Sequence, residues 1–230
     1  MYAPMSKVFL LVGGETILER TLDLFERTPI IDTVVLVVAE KDRAACSSLV
    51  RSARLRKTRR IVTGGSSRHE SEYHGLLAIE DQIMSGEIDT VLVHDAVRPF
   101  VTPGQIESVT AEARRTGAAI LAIPANERIV MSAKDGTVVD CGDDLWVAQT
   151  PQAFRAALVL DAHHRAAADG FVGTDTSAVV ERVGQEVSVV RGAEENIKIT
   201  TSDDLLRAEL IAGQLSHPPH ARLGVLTPRV

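Results

Sequence analysis

Residues Thr33 to Ala39 read Thr-Val-Val-Leu-Val-Val-Ala, a β-branched run with no alternation of polar and apolar positions. A strand with one wet face alternates with a period of two, so an unbroken apolar run marks a strand covered on both faces, as in a parallel sheet. Parallel neighbours need a crossover of a dozen or more residues, usually a helix. The chain supplies such crossovers. Thr16 to Arg27 carries Ile17, Leu18, Leu22, Leu24 and Phe25 at roughly helical spacing, and Lys41 to Arg54 also reads as a helix. Arg59 to Thr63 is a strand entering Gly64-Gly65, Ser71 to Met84 is helical, and Thr90 to Val93 is a strand. Pro103 to Arg115 follows as a helix with Thr102 as N-cap and proline at the favoured first position, and Ala118 to Ile123 returns as a strand. This alternation predicts right-handed crossovers and a doubly wound α/β sheet.

The rhythm then breaks. Glu127 to Ser132, the turn Lys134-Asp135-Gly136 and Thr137 to Asp140 read as a hairpin, because Asp-Gly between extended runs is a strong hairpin signal. A two-stranded ribbon is marginal alone and needs a surface to pack on. Alternation resumes with a strand Trp146 to Ala148, a helix Arg155 to Ala168, a helix starting near Asp175, strands Glu186 to Val190 and Ile197 to Ile199, and a last helix with Thr201 as N-cap and Asp203 and Asp204 in its first turn. Residues 1–215 form one domain with an arm at about 125–146, and 216–230, with three prolines and no periodicity, is a mobile tail.

At 230 residues the chain suits one large domain with a substantial core. A formal charge of −6 argues against sequence-independent binding to nucleic acid, which needs a basic face. The two cysteines, Cys46 and Cys141, stand far apart without metal-ligand spacing, which points to reduced thiols rather than a disulfide framework or zinc. No run approaches the roughly 18 apolar residues of a spanning helix, and no signal peptide is evident, so a soluble cytoplasmic protein is expected.

Chemistry concentrates where strands end. Val91-Leu92-Val93 runs into His94-Asp95-Ala96-Val97-Arg98-Pro99-Phe100, and in open α/β sheets ligands collect outside the carboxyl ends of strands. A carboxylate there can hold a metal and a guanidinium a phosphate, although the same pair can cap a turn on the surface. Three further polar clusters stand at strand ends: Gly64-Gly65-Ser66-Ser67-Arg68, Gln149-Thr150-Pro151-Gln152 and Asn196-Ile197-Lys198-Ile199-Thr200-Thr201. Lys198, in an apolar stretch, must find an anion or solvent. His94 reads as a hydrogen-bonded structural histidine rather than a base.

Taken in order, Val62-Thr63-Gly64-Gly65 with Arg68, Ser71 and Gly75-Leu76, then His94 to Phe100, Gln149 to Phe154, Thr174-Asp175 and Asn196 to Thr200 resemble the 2-C-methyl-D-erythritol 4-phosphate cytidylyltransferase family, from about Ser6 to Ile211. The resemblance implies a Rossmann-like nucleotidyltransferase fold with a mostly parallel sheet, and a homodimer built through the hairpin arm. It implies CTP and a polyol phosphate as substrates, Mg²⁺ as cofactor, release of pyrophosphate, and a place in isoprenoid precursor synthesis. By position, it implies that Asp95 is the magnesium ligand, that Gly65, Ser66, Ser71 and Ala96 line cytosine and ribose, that Arg98, Thr150 and Lys198 contact the sugar phosphate, and that Lys7 stabilises the charged transition state.

The chain also departs from the family pattern. A glycine-rich loop of the form Ala-Ala-Gly-x-Gly-x-Arg is implied ahead of Lys7, where six residues stand. Such a loop cradles a triphosphate, so slow turnover by the chain as given is expected. The arm's Asp-Thr pair is read as Glu127-Arg128, and an arginine shortly before Leu145-Trp146 falls on Gly142 or its acidic neighbours. The alternatives are a ribitol-5-phosphate-type cytidylyltransferase, favoured by Val97 and Ile129-Val130, or a catalytically silent dimeric homologue. A nicotinamide dehydrogenase fits poorly, since no Gly-x-Gly-x-x-Gly follows a first strand.

Overall fold

The computed structural model describes residues 6–126, 130–132, 138–140 and 144–216. A single 3₁₀ turn, Lys7–Phe9, leads into a small hairpin of β1 (Leu11–Val12) and β2 (Glu15–Thr16). There follow α1 (Ile17–Arg27), β3 (Val34–Val38), α2 (Arg43–Ser52), β4 (Thr58–Thr63), α3 (Arg68–Leu77), α4 (Glu80–Met84), β5 (Thr90–Val93), α5 (Pro103–Thr116) and β6 (Ala118–Pro124). Then come β7 (Val130–Ser132), β8 (Val138–Asp140), β9 (Trp146–Arg155), α6 (Ala156–Asp169), α7 (Thr176–Arg182), β10 (Ser188–Arg191) and α8 (Ser202–Ser216).

The Val-rich run forms β3, which pairs in parallel with β4. The main sheet has the order β10-β6-β9-β5. Strand β9 is antiparallel to both β5 and β6, while β10 is parallel to β6, so β5, β6 and β10 point one way and β9 alone runs against them. The sheet is therefore mixed where alternation predicted parallel pairing. Because β9 enters from the arm rather than from a crossover helix, nothing in its connection forces it to run with its neighbours.

Helices cover both faces of this sheet, as a doubly wound arrangement requires. Ala118 and Phe154 face a core with Val159 and Leu160 of α6 and Val179 and Val180 of α7. Their chain neighbours Ala119 and Ala153 face the opposite core, with Ile106, Val109 and Ala113 of α5. A third cluster joins Leu18 and Leu22 of α1 to Leu36 and Cys46, and a fourth packs α8 on Val12, Phe100, Ile197 and Ile199.

Several boundaries differ from the sequence reading. The helix expected from Ser71 begins at Arg68, capped by the Ser67 hydroxyl, which accepts from the Glu70 amide at 3.0 Å; it ends at Leu77 before α4 starts. The short strand expected at Trp146 extends to Arg155, because the polar cluster Gln149-Thr150-Pro151-Gln152, expected at a strand end, lies within a buried length of sheet. Ile197 to Ile199 is not a strand. Of the hairpin, β7 and β8 pair antiparallel with Val130 opposite Asp140; Glu127, Arg128, Ile129 and Gly142 lie outside the described residues, as does 217–230.

Candidate active site

Strand β5 ends at Val93, and the next four residues turn back so that the Arg98 amide donates to the Asp95 carbonyl at 2.9 Å. The turn is anchored from β9. Opposite β6 the register slips: Ile120 faces Gln152 and Leu121 faces Gln149, leaving Thr150 and Pro151 as a bulge just past Gln152, which faces Val93 at the end of β5. The Thr150 hydroxyl accepts from the Asp95 amide at 3.0 Å and lies 3.1 Å from His94 Nδ1. His94 Nε2 is 3.0 Å from the Arg98 carbonyl, which can only accept, so Nε2 carries the proton. Burial pushes the His94 imidazole down to about 4, so it is neutral and Nδ1 must accept from Thr150. His94 is thus structural, as expected. Thr150 is 3% exposed, and its hydroxyl joins the Asp95 amide to the His94 ring.

Asp95 itself faces three cations, one from its own turn, one from α3 and one from the segment ahead of α8. Its Oδ2 lies 3.0 Å from Lys198 Nζ and 3.5 Å from Arg98 Nε, and its Oδ1 lies 3.4 Å from Arg68 Nη2. Burial pushes the Asp95 carboxyl up, but Arg68, Lys198 and Arg98 outweigh it and hold it below the ordinary carboxylate range. Arg68 also donates to Glu72 at 2.8 Å, and burial raises the Glu72 carboxyl. Arg68, Arg98 and Lys198 therefore stand among Asp95, Glu72 and Asp175, a cluster of three cations from which an anion could draw hydrogen bonds.

Each cation is fixed locally. Arg68 opens α3, whose Glu72 accepts from Thr176 of α7 at 2.8 Å. Arg98 Nη1 donates to the Asn196 carbonyl at 2.7 Å. Ile197 and Ile199 are buried under α8, so Lys198 between them is turned outward, 40% exposed against 14% for the Asp95 side chain. The following turn is pinned by Asp204, whose carboxylate accepts from the Thr200 amide and hydroxyl and the Thr201 amide, each at 2.8 Å. Lys7 Nζ donates to the Thr200 carbonyl, which brings Lys7 beside the Lys198 segment.

The residues expected at the nucleotide form a second, adjoining group. The Gly65 amide donates to the Ser71 hydroxyl at 3.1 Å, and Ser71 donates to the Ser67 carbonyl at 2.8 Å. The Ser66 amide and hydroxyl both donate to Glu70 at 2.6 Å, which lowers the Glu70 carboxyl. Ala96 offers its carbonyl to Thr21 at 2.9 Å. The fold thus gathers Lys7, Asp95, Arg98 and Lys198 at one end of β5, with Arg68 linking them to the loop of Gly65 and Ser66. An open groove of about 410 Å³, lined by residues including Arg98, Gln149, Asn196, Lys198 and Arg207, adjoins them.

Sequence reasoning gave no role to Arg68, Gln149, Asn196 or Gln152. Arg68 stood in the glycine-serine cluster, and an arginine after such a loop was its only signal; the amides are visible only once β9 meets the 192–200 segment. Among the described residues no group of three or more His, Cys, Asp or Glu gathers as a metal cage. No helix described is long and apolar enough to cross a membrane.

A doubly wound α/β sheet that ends one strand in an acid ringed by three cations is a frame suited to a nucleotidyltransferase. Residues 1–214 match the 2-C-methyl-D-erythritol 4-phosphate cytidylyltransferase family, and the chain belongs to it. The enzyme of that name from Geobacter metallireducens is 42% identical over 212 residues, covering 91% of this chain and 90% of the relative. The crystal structure of 4-diphosphocytidyl-2C-methyl-D-erythritol synthase from Anaerococcus prevotii superposes with a TM-score of 0.78 at 31% identity, covering 87% of each chain. That of the cytidylyltransferase from Thermus thermophilus gives 0.70 at 29% identity, covering 90% of this chain and 94% of the other.

Proposed function

We propose that this chain transfers CMP from CTP to 2-C-methyl-D-erythritol 4-phosphate in isoprenoid precursor synthesis, with the reaction centred on Asp95. The observation that carries the reading is the placing of Arg68, Arg98 and Lys198 around one carboxylate at the end of β5. Phosphoryl transfer needs positioning and neutralised charge more than covalent chemistry, and this group supplies both. A phosphate oxygen of the acceptor attacks the α-phosphorus of CTP, the bond to the β-phosphate breaks, and pyrophosphate leaves. Arg98 and Lys198 hold the acceptor's phosphate, a guanidinium being suited to two parallel bonds with phosphate oxygens. Gly65, Ser66, Ser71 and Ala96 line the nucleoside, and Lys7, beside Thr200, meets charge developing on the triphosphate.

The donor set fits Mg²⁺. That ion keeps several waters and takes one or two carboxylates plus substrate phosphates rather than a protein cage, and Asp95 offers one partly exposed carboxylate among phosphate-binding groups. When bound it would neutralise triphosphate charge. A second copy of the chain completes the assembly: β7 and β8 pair with each other as a two-stranded ribbon, which needs another surface for stability. The protein is read as cytoplasmic, consistent with Cys46 as a free buried thiol.

Pyrophosphate release from CTP and Mg²⁺, measured with methylerythritol phosphate and separately with ribitol 5-phosphate, tests the assignment. Release that depends on the first acceptor is expected. Dependence on ribitol phosphate alone would transfer the assignment to that acceptor, and release with neither would refute the activity.

A further inference from the structure

Lys198 reaches the site on a segment that forms no strand. A backbone bond ties the segment's far end to the turn after β5, from the Ile199 amide to the Val97 carbonyl at 3.0 Å. Its near end is held by Asn196, which is fully buried. The Asn196 side-chain nitrogen donates to the Thr150 carbonyl at 2.9 Å and to Gln149 Oε1 at 3.3 Å. Gln149, 4% exposed, uses its own nitrogen on the Ala193 carbonyl at 2.8 Å. The orientation of both amides follows. Ala193 offers an acceptor, so Gln149 turns its nitrogen there and its oxygen to Asn196, which must answer with nitrogen. Gly192 packs against Gln149, where an added Cβ would overlap Gln149 Oε1. The Asn196 carbonyl meanwhile receives Arg98 Nη1 at 2.7 Å.

We propose that Asn196, clamped by Gln149, is a positioning residue that sets the separation of Arg98 and Lys198. The inference rests on the reading that these two cations hold the acceptor's phosphate. Asn196 fixes Arg98 through its own carbonyl and Lys198 through the backbone two residues on, while its side chain locks both to the bulge of β9 that orients Asp95. No regular ladder holds this segment, so the buried amide pair does the work that strand pairing does elsewhere. A phosphate bridged by both cations binds tightly only while their spacing is kept.

The test uses inorganic phosphate as probe, which assumes nothing about the acceptor. Asn196→Ala leaves the Thr150 carbonyl and Gln149 Oε1 without their donor, and its phosphate dissociation constant is expected to rise by about tenfold or more, as small displacements of binding groups do. CTP affinity should stay within about twofold, because the groups around Gly65 and Ser71 do not touch the clamp. In an Arg98→Lys background, the same substitution should cost less than about twofold, since residues acting through one another are not additive. Gln149→Met removes the clamp from the other side and carries the same comparison should Asn196→Ala melt below the assay temperature. A phosphate loss under about threefold, an equal loss of CTP affinity, an additive double variant, or a wild-type chain that binds no phosphate would each overturn the proposal. If the phosphate results hold while the wild type transfers nothing to methylerythritol phosphate, the acceptor assignment fails and the positioning role stands.

Discussion

At the scale of single residues, the three cations around Asp95 decide what its removal does. Asp95→Asn keeps the shape and the backbone bond to Thr150 but leaves Arg68, Arg98 and Lys198 without a counter-charge. Turnover should fall by about 10³-fold, the scale of losing a preorganised electrostatic group, and dependence on Mg²⁺ should weaken with it. Steady-state pyrophosphate release across a Mg²⁺ titration measures both. His163 makes a different prediction. It is fully buried on α6, stacked on His69 of α3 at 4.8 Å, and among the described residues neither ring nitrogen has a hydrogen-bond partner. Burial, then the nearby His69 and His164, push it down to about 4. An unfolded histidine titrates near 6.5, so between about pH 6.5 and 4 the unfolded chain binds more protons and stability falls as pH falls. From pH 7 to 5 this one group removes about 2 kcal/mol. His163→Phe keeps the aromatic stack, and its urea midpoint should lose correspondingly less over that interval, with His94 contributing equally to both profiles. Asp95 with Arg98 and Lys198 was legible in the sequence, because charged residues closing or interrupting an apolar run have few explanations, whereas Arg68 was not given a role. The buried amides were not, because Gln and Asn show their role only in their partners.

Among the elements, α7 shows how a cap can serve two purposes. Asp175 caps it by accepting from the Ala178 amide and Ser177 hydroxyl at 3.0 Å, and its other oxygen accepts from Gln152, itself buried in β9, at 3.0 Å. Those hydrogen bonds outweigh burial and keep its carboxyl low. Asp175→Ala loses a helix cap and strands a buried amide, so it should cost about 2–4 kcal/mol, read as a lowered urea midpoint. Helices were legible where a cap and an apolar face coincided, as in α5, where Thr102 and Gln105 complete a reciprocal capping box. The start of α3 was missed because a run of serines offers several caps and only Ser67 is used. Ile197 to Ile199 has the two-residue period of a strand, yet that period serves to bury two isoleucines while exposing one lysine. Strand β9 was underestimated because proline and polar residues in its middle imitate a turn, and only the register slip shows that they bulge within the sheet.

For the whole molecule, the proposed dimer has a built-in reporter. Trp146 is the only tryptophan in the chain and is 44% exposed at the start of β9, next to the arm. If the arm embraces a second copy, light scattering should give twice the mass of 24.8 kDa. Dilution should then shift Trp146 emission to the red as the ring meets water; a concentration-independent monomer would refute the dimer. The doubly wound plan was legible from alternation of apolar runs and helices, whereas the reversed strand was not, since direction depends on where a strand enters and the arm hid that. The reversed strand also limits how the gene can change in length. Strand β9 carries the arm's exit, the Thr150 bulge and Phe154 in the core within ten residues. In a two-residue period, one added codon after Gln152 would turn Ala153 and Phe154 to the wrong cores. One added before Gln149 would leave those residues in register and displace only the path from the arm. Relatives that differ in length should therefore place their gaps between β7 and β8 or ahead of Val147, and none between Gln149 and Arg155.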